Sequence, residues 1–287
     1  MAEQISKNSN ARRIELGTKH PIGYYYSVGQ TANGDLAYVD LQQFLNDKFS
    51  GRISQSQYFA VAEQTKRIFS LNSMMIDRVA EEKKLAKDAR FMVQISAQWF
   101  SNQSKIRLLK EMVETLGKGV ILCFDAVSLV NAGPEAKAVF DEFALEYEFE
   151  VLLDNIEYLS FVQFLGYKAN YIRFDARFLE MGEVNAEIAF GFLKNYTDAN
   201  GMKLVVKNIK SEEEKDYYIG LGADIVEGVG VYTPKKRIAR IMNDFKVERI
   251  SAYDDDFEDD DDFETEDDIK LEYQTQPTKI DETAEDE

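Results

Sequence analysis

The sequence predicts an α/β fold closed into a TIM-like (β/α)8 barrel, followed by a disordered acidic C-terminal tail. Three observations carry this expectation. From Phe91 onward, short apolar runs alternate with amphipathic segments, the rhythm of successive β-α-β units, and the number of units favours closure into a barrel. Polar residues stand where the strands end: Asp154-Asn155 follows the run Phe149 to Leu153, and a later strand ends in Arg173-Phe174-Asp175. Parallel α/β sheets and barrels build their sites at such strand ends. After Ile250 the composition changes to near-continuous Asp and Glu. The chain therefore divides into an N-terminal arm (1–20), a barrel domain (21–248) and a tail (249–287).

Each element has its own signal. Gly23 to Val28 reads as a strand, and Asn33-Gly34 is a hairpin turn leading into a second strand, Leu36 to Phe44. Helical periodicity covers Ser56 to Thr65 and Ser70 to Lys87, with Leu71, Met74, Met75 and Val79 on one face. Then come strand Phe91 to Ile95, helix Lys105 to Leu116, strand Val120 to Phe124, and a helix opened by Pro134 and running through Glu146. Strand Glu150 to Leu153, helix Tyr158 to Leu165 and strand Tyr171 to Phe174 follow. A long helix from about Arg177 ends at Asn200-Gly201, a C-cap pair. Strand Lys203 to Val206, helix Glu212 to Leu221, strand Ile225 to Glu227 and helix Pro234 to Asp244 complete the barrel.

The formal net charge is −18, and it is concentrated. Ser251 to Glu287 holds 18 acidic residues against Lys270 and Lys279, leaving 34 acidic and 32 basic residues in the other 250. Such a run repels itself and has too little apolar content to fold. With no basic patch to offset it, direct nucleic-acid binding is not expected. A single cysteine, Cys123 within an apolar strand, excludes a disulfide framework and a cysteine zinc site and reads as a core residue. His20 reads as a solvated loop residue. No apolar run approaches the ~20 residues of a membrane span, and the first 13 residues lack a signal peptide's apolar core. The expected location is cytoplasmic.

Five segments in order carry a resemblance: FMVQISAQWF from Phe91, VLLDN from Val151, YIRFDARFLE from Tyr171, LVVKNIKSEEE from Leu204 and GADIVEGVGVYTP from Gly222. Together they resemble the EAL domain, the bacterial phosphodiesterase fold that linearises cyclic di-GMP, over about Pro21 to Lys246. That chemistry uses two divalent cations held by oxygen ligands. The resemblance implies that Val39 stands at the signature Glu and Gln94 at a metal-binding Asn. The next Glu falls at Phe124 or Asp125, and the paired aspartates become Asp154 and Asn155. Arg173 replaces a Lys, a Glu falls at Lys207 or Asn208, and Glu227 stands for a Gln. Several metal ligands are thereby lost.

These positions imply a degenerate EAL domain without catalysis, metal or other cofactor, acting as a regulatory protein through protein–protein contact. Asp154 reads as an ion-pair partner of Arg173 in preference to a residual metal ligand. Arg173 reads as structural, with bidentate grip of a phosphate as the sharper alternative. The second function is a metal-independent cyclic di-GMP receptor using Arg173 and Asn208. Against it, Gln43 stands where receptors of the family keep a ligand-contacting Arg, and residual phosphodiesterase activity is a further alternative. In the tail, Phe257 and Phe263 among the acids suggest docking on a basic protein partner, against a plain solubilising spacer.

Overall fold

The computed structural model describes residues 22–47, 51–153, 166–177 and 183–246. Strand β1 (Ile22–Thr31) and β2 (Leu36–Asp47) form the hairpin that Asn33-Gly34 signals; Gly34 takes φ +86°, a left-handed turn position that glycine accepts without strain. A four-residue strand, β3 (Gly51–Ser54), pairs with the end of β2. Its sequence, Gly-Arg-Ile-Ser, has one large apolar residue, so backbone pairing and not patterning forms it. Helices α1 (Gln55–Gln64) and α2 (Ile68–Leu85) follow. Ser54 opens α1 through a capping box with Gln57.

The repeating part alternates as expected. Strands β4 (Phe91–Gln94), β5 (Val120–Asp125), β6 (Glu148–Leu153), β7 (Tyr171–Asp175), β8 (Lys203–Lys207) and β9 (Ile225–Glu227) pair parallel in sequence order, with β2 parallel to β4. Strand β1 closes the ring by pairing antiparallel with both β2 and β9. Eight strands of the described residues thus form a closed barrel with β3 outside it. One of the eight runs against the other seven, a departure from a uniform (β/α)8 barrel that follows from the tight hairpin. Outside lie a short 3-10 turn (Ala97–Ser101) and helices α3 (Gln103–Glu114), α4 (Ala126–Phe143), α5 (Glu183–Ala199), α6 (Glu212–Leu221) and α7 (Ile238–Asp244).

Helix α4 begins eight residues before Pro134, because the Asp125 side chain accepts from the Ser128 amide and caps it there. Similarly, α7 begins at Ile238, while the backbone at Lys235 is held by a bridge to Tyr26. The expected helix Tyr158 to Leu165 and the tail fall outside the described residues, as do His20 and the N-terminal arm. Among the described residues, no helix is long and apolar enough to cross a membrane.

Strand alternation sorts the core into two parts. Outward residues such as Val39, Phe91, Phe124, Phe149 and Phe174 pack against the helices, whereas Tyr38, Met92, Ile121, Cys123, Leu152, Tyr171, Val205 and Ile225 fill the interior. The outer layer is aromatic. The Phe140 ring on α4 lies 4.3 Å from Phe149, 5.3 Å from Phe124 and 4.8 Å from Tyr167, centroid to centroid. Phe140→Ala is expected to lower stability by about 3–5 kcal/mol, since this rigid cluster cannot collapse onto the void. Urea unfolding measures it as a fall in midpoint at constant m-value.

Candidate functional site

Strand parity turns Tyr171, Arg173 and Asp175 of β7 into the barrel, and Tyr38, Asp40 and Gln42 of β2 face them. In the ring, β2 and β7 are opposite each other, with three strands between them on either side. Arg173, 4% exposed, crosses the interior to Asp40, with Nη1 3.2 Å from Oδ2. Its Nη2 lies 3.1 Å from Glu227 on β9, and its Nε lies 2.8 Å from Glu150 on β6. The last contact is an ion pair outside hydrogen-bond alignment, and neither Glu150 oxygen has a hydrogen-bond partner. Ser27 donates to Glu227 at 2.9 Å, Tyr38 donates to it at 3.2 Å, and Gln42 donates to Asp40 at 3.0 Å.

Three buried carboxylates around one guanidinium set the electrostatics. Burial, reinforced by Glu227 and opposed by Arg173, pushes the Asp40 carboxyl up to about 7. Burial likewise raises Glu150 against the pull of Arg173. Glu227 is held below its ordinary value despite burial, by Arg173 and by hydrogen bonds from Asp40, Ser27 and Arg173. For Arg173 burial opposes the charge, but Glu150, Glu227, Tyr38 and Asp40 outweigh it and raise the pKa well above the ordinary arginine value.

Nearer the C-terminal ends of the strands, Asp175 is fully buried. It accepts from Arg177 at 2.6 Å and Asn208 at 2.7 Å, and Lys207 lies 3.9 Å away. Asn208 holds φ +64°, a conformation asparagine tolerates. A cavity of about 550 Å³ opens at this end, lined among others by Phe59, Glu63, Gln94, Asp125, Ser128 and Lys207. Glu63 of α1 accepts from the Ser96 and Ser128 hydroxyls at 2.5 and 2.9 Å, fixing the helix over the strand ends. Gln94 accepts from Gln55 at 3.3 Å.

The positions singled out from sequence separate accordingly. Gln94, Asp125 and Lys207 line the cavity; the alternative Phe124 faces the helices. Val39, expected at the signature Glu, faces the helices. The inward residue is its neighbour Asp40, and strand alternation is the signal that identifies it. Gln43 is not at the cavity. It lies sealed under α1, where its amide group donates to Tyr24 and accepts from Tyr58 and its backbone N–H donates to Gln55. Arg173 and Glu227 are together in the interior, so Arg173 does not reach the cavity as a phosphate clamp. Asp154, Asn155, Phe257 and Phe263 lie outside the described residues, and with them the expected Asp154–Arg173 pair. Glu150 was hidden in an apolar run, where a fully buried acid has no sequence signature beyond being out of place.

Among the described residues, the donor set does not fit a pair of dications. Asp40, Glu150 and Glu227 are committed to Arg173, Asp125 caps α4, and Asp175 is held by Arg177 and Asn208. Among the described residues no group of three or more His, Cys, Asp or Glu is arranged to hold a metal ion.

The Asp40 shift makes stability depend on pH. Unfolded, Asp40 ionises near its ordinary 3.8; folded, it keeps its proton to about 7. Between those values the native state binds more protons, so stability falls as pH rises. Asp40→Asn is expected to remove a loss of the order of 2–4 kcal/mol between about pH 4 and pH 7, read by urea unfolding across that range.

Comparison with known proteins gives a consistent picture. A family model described as the EAL domain matches residues 10–234. No curated protein sequence matches the chain. Among solved structures, the EAL enzyme Bd1971 superposes with a TM-score of 0.70 at 12% identity, covering 85% of this chain and 70% of that one. An EAL domain protein from Listeria monocytogenes gives 0.66 at 11% identity over 82% of this chain and 96% of its own. The FimX EAL domain from Pseudomonas aeruginosa gives 0.63 at 12%, covering 79% of this chain and 96% of that chain.

Proposed function

The chain belongs to the EAL domain family, and on that premise we propose that it is a non-catalytic member, a regulatory module of cyclic di-GMP signalling that works through protein contacts. The observation that carries this is the Arg173 cluster. Two-metal hydrolysis needs carboxylates free to hold the ions that activate water and neutralise the phosphodiester. Here the interior carboxylates are spent on a guanidinium that cannot be deprotonated, and the cavity mouth supplies Gln94, Asp125 and Lys207. The acidic segment 251–287 is the docking element of this proposal. Its charge steers a basic partner over a range set by the ~10 Å Debye length at 0.1 M salt, and Phe257 and Phe263 add apolar selectivity.

A second function is favoured by one specific observation, the cavity at the C-terminal end of the strands with Lys207 in its wall. The FimX EAL domain of Pseudomonas aeruginosa is bound to c-di-GMP, so a receptor role without hydrolysis is the alternative. Gln43, sealed under α1, and Arg173, buried in the interior, leave no arginine among the residues that line that cavity, which ranks the receptor role second.

Purified full-length protein with magnesium or manganese is expected to leave cyclic di-GMP intact over long incubation, followed by chromatography. Linearisation that disappears in Asp154→Ala would overturn the proposal. Titration calorimetry separates the two functions: heat saturating at micromolar nucleotide and lost in Lys207→Ala selects the receptor. For the tail, truncation after Ile250 is expected to leave the melting temperature unchanged while removing capture of basic partners. Retention of the same partners would move the contact to the barrel.

A further inference from the structure

The cavity at the mouth of the barrel is acidic on balance. Glu63 and Asp125 line it against a single cation, Lys207, which itself lies 3.9 Å from buried Asp175. Asp125 spends one oxygen on the Ser128 amide at the start of α4. Glu63 differs. It is half-buried on α1, and its Oε1 accepts from both the Ser96 and the Ser128 hydroxyl. Among the described residues, no lysine or arginine stands at ion-pair distance from it. A carboxylate oriented by two hydroxyls and lacking a counter-ion is a prepared acceptor for a cation from solvent. Phe59 precedes Glu63 by one helical turn, so ring and carboxylate share a face of α1, and both line the cavity. Gln98 directs its Nε2 to the Glu63 backbone carbonyl, 3.4 Å away, and keeps its amide oxygen as an acceptor. The volume of about 550 Å³ takes a guanidinium together with the chain that carries it.

We propose that this cavity binds an organic cation through a guanidinium group, with Glu63 as the counter-ion. The second oxygen of Glu63, which the serines do not use, takes the charge-assisted hydrogen bond. A guanidinium suits the lining better than an ammonium. Its flat face lies on the Phe59 ring while its edge reaches the carboxylate and the Gln98 amide oxygen. Such a group belongs either to a small free guanidino compound or to an arginine side chain of a docked protein. The site goes beyond both functions proposed above, and it differs in sign from nucleotide binding: Lys207 opposes a cation and favours a phosphodiester.

The test is titration calorimetry on the full chain with two probes, agmatine for the free ligand and N-acetylarginine amide for the side chain. Saturable heat is expected with at least one, and the tighter probe identifies the source. Glu63→Gln keeps an acceptor for both serines but removes the charge, and should weaken binding about tenfold or more. Lys207→Met removes the like charge from the wall and should tighten it, whereas nucleotide binding would be lost by the same change. Cations also gather on the acidic segment 251–287, so heat common to the wild type and Glu63→Gln is subtracted as belonging there. No saturable heat with either probe, or equal affinity in the wild type and Glu63→Gln, overturns the proposal. If Glu63→Gln melts below the wild type, Lys207→Met decides. Tighter binding upholds the site, and unchanged or weaker binding overturns it.

Discussion

The contact from Arg173 to Asp40 joins opposite walls of the barrel, and the rest of the interior is arranged around it. A guanidinium buried among apolar residues such as Met92, Ile121 and Val205 is admissible only with acids at hydrogen-bond or ion-pair distance. Asp40, Glu150 and Glu227 provide them from three other strands. Burial, reinforced by Glu227, pushes the Asp40 carboxyl up to about 7, while Arg173 and several hydrogen bonds hold Glu227 below its ordinary value despite burial. Tyr38, Ser27 and Gln42 complete the network as neutral donors. The cluster is therefore one electrostatic unit, and its members respond together to any change in one of them.

The same economy governs the mouth of the barrel. Asp125 ends a strand and caps the following helix, so its carboxylate shapes the backbone. Asp175, also at a strand end, is fully buried and holds Arg177 and Asn208. Acids in such positions look like ligands in sequence, yet each is engaged by neighbours that the fold brings to it. What remains at the opening is a cavity with neutral amides and hydroxyls, Glu63 tied to two serines, and Lys207 in the wall. An anionic phosphodiester meets little positive charge there.

Identity of 11–12% with solved EAL structures, alongside TM-scores of 0.63–0.70, fits this division of labour. The layer between strands and helices asks for apolar volume in a repeating pattern, and many residue sets satisfy that. Closure of the ring depends on main-chain pairing of β1 with β2 and β9. Close approach at a few points is less forgiving. Gly228, just after Glu227, would place any Cβ 2.2 Å from the Ile209 carbonyl oxygen, so the loop that follows β9 needs glycine there.

Sequence alone determined the order and type of nearly every described element, because hydrophobic periodicity and turn chemistry are local. Asn33-Gly34 specified the hairpin, and the family was legible from five weak motifs in the right order. It also identified Gln94, Asp125, Arg173 and Glu227 as strand-end or site positions. Tertiary structure decided what those residues do. Whether Val39 or Asp40 faces inward depends on the absolute phase of a strand, and a one-residue slip in alignment inverts every side chain on it. Gln43 moved from a ligand position to the core for the same reason. Glu150, Asp40 and Glu227 lie in separate segments, and only closure of the barrel brings them to Arg173 across the ring. The partners of a buried charge are fixed by three-dimensional proximity, to which spacing along the chain is blind.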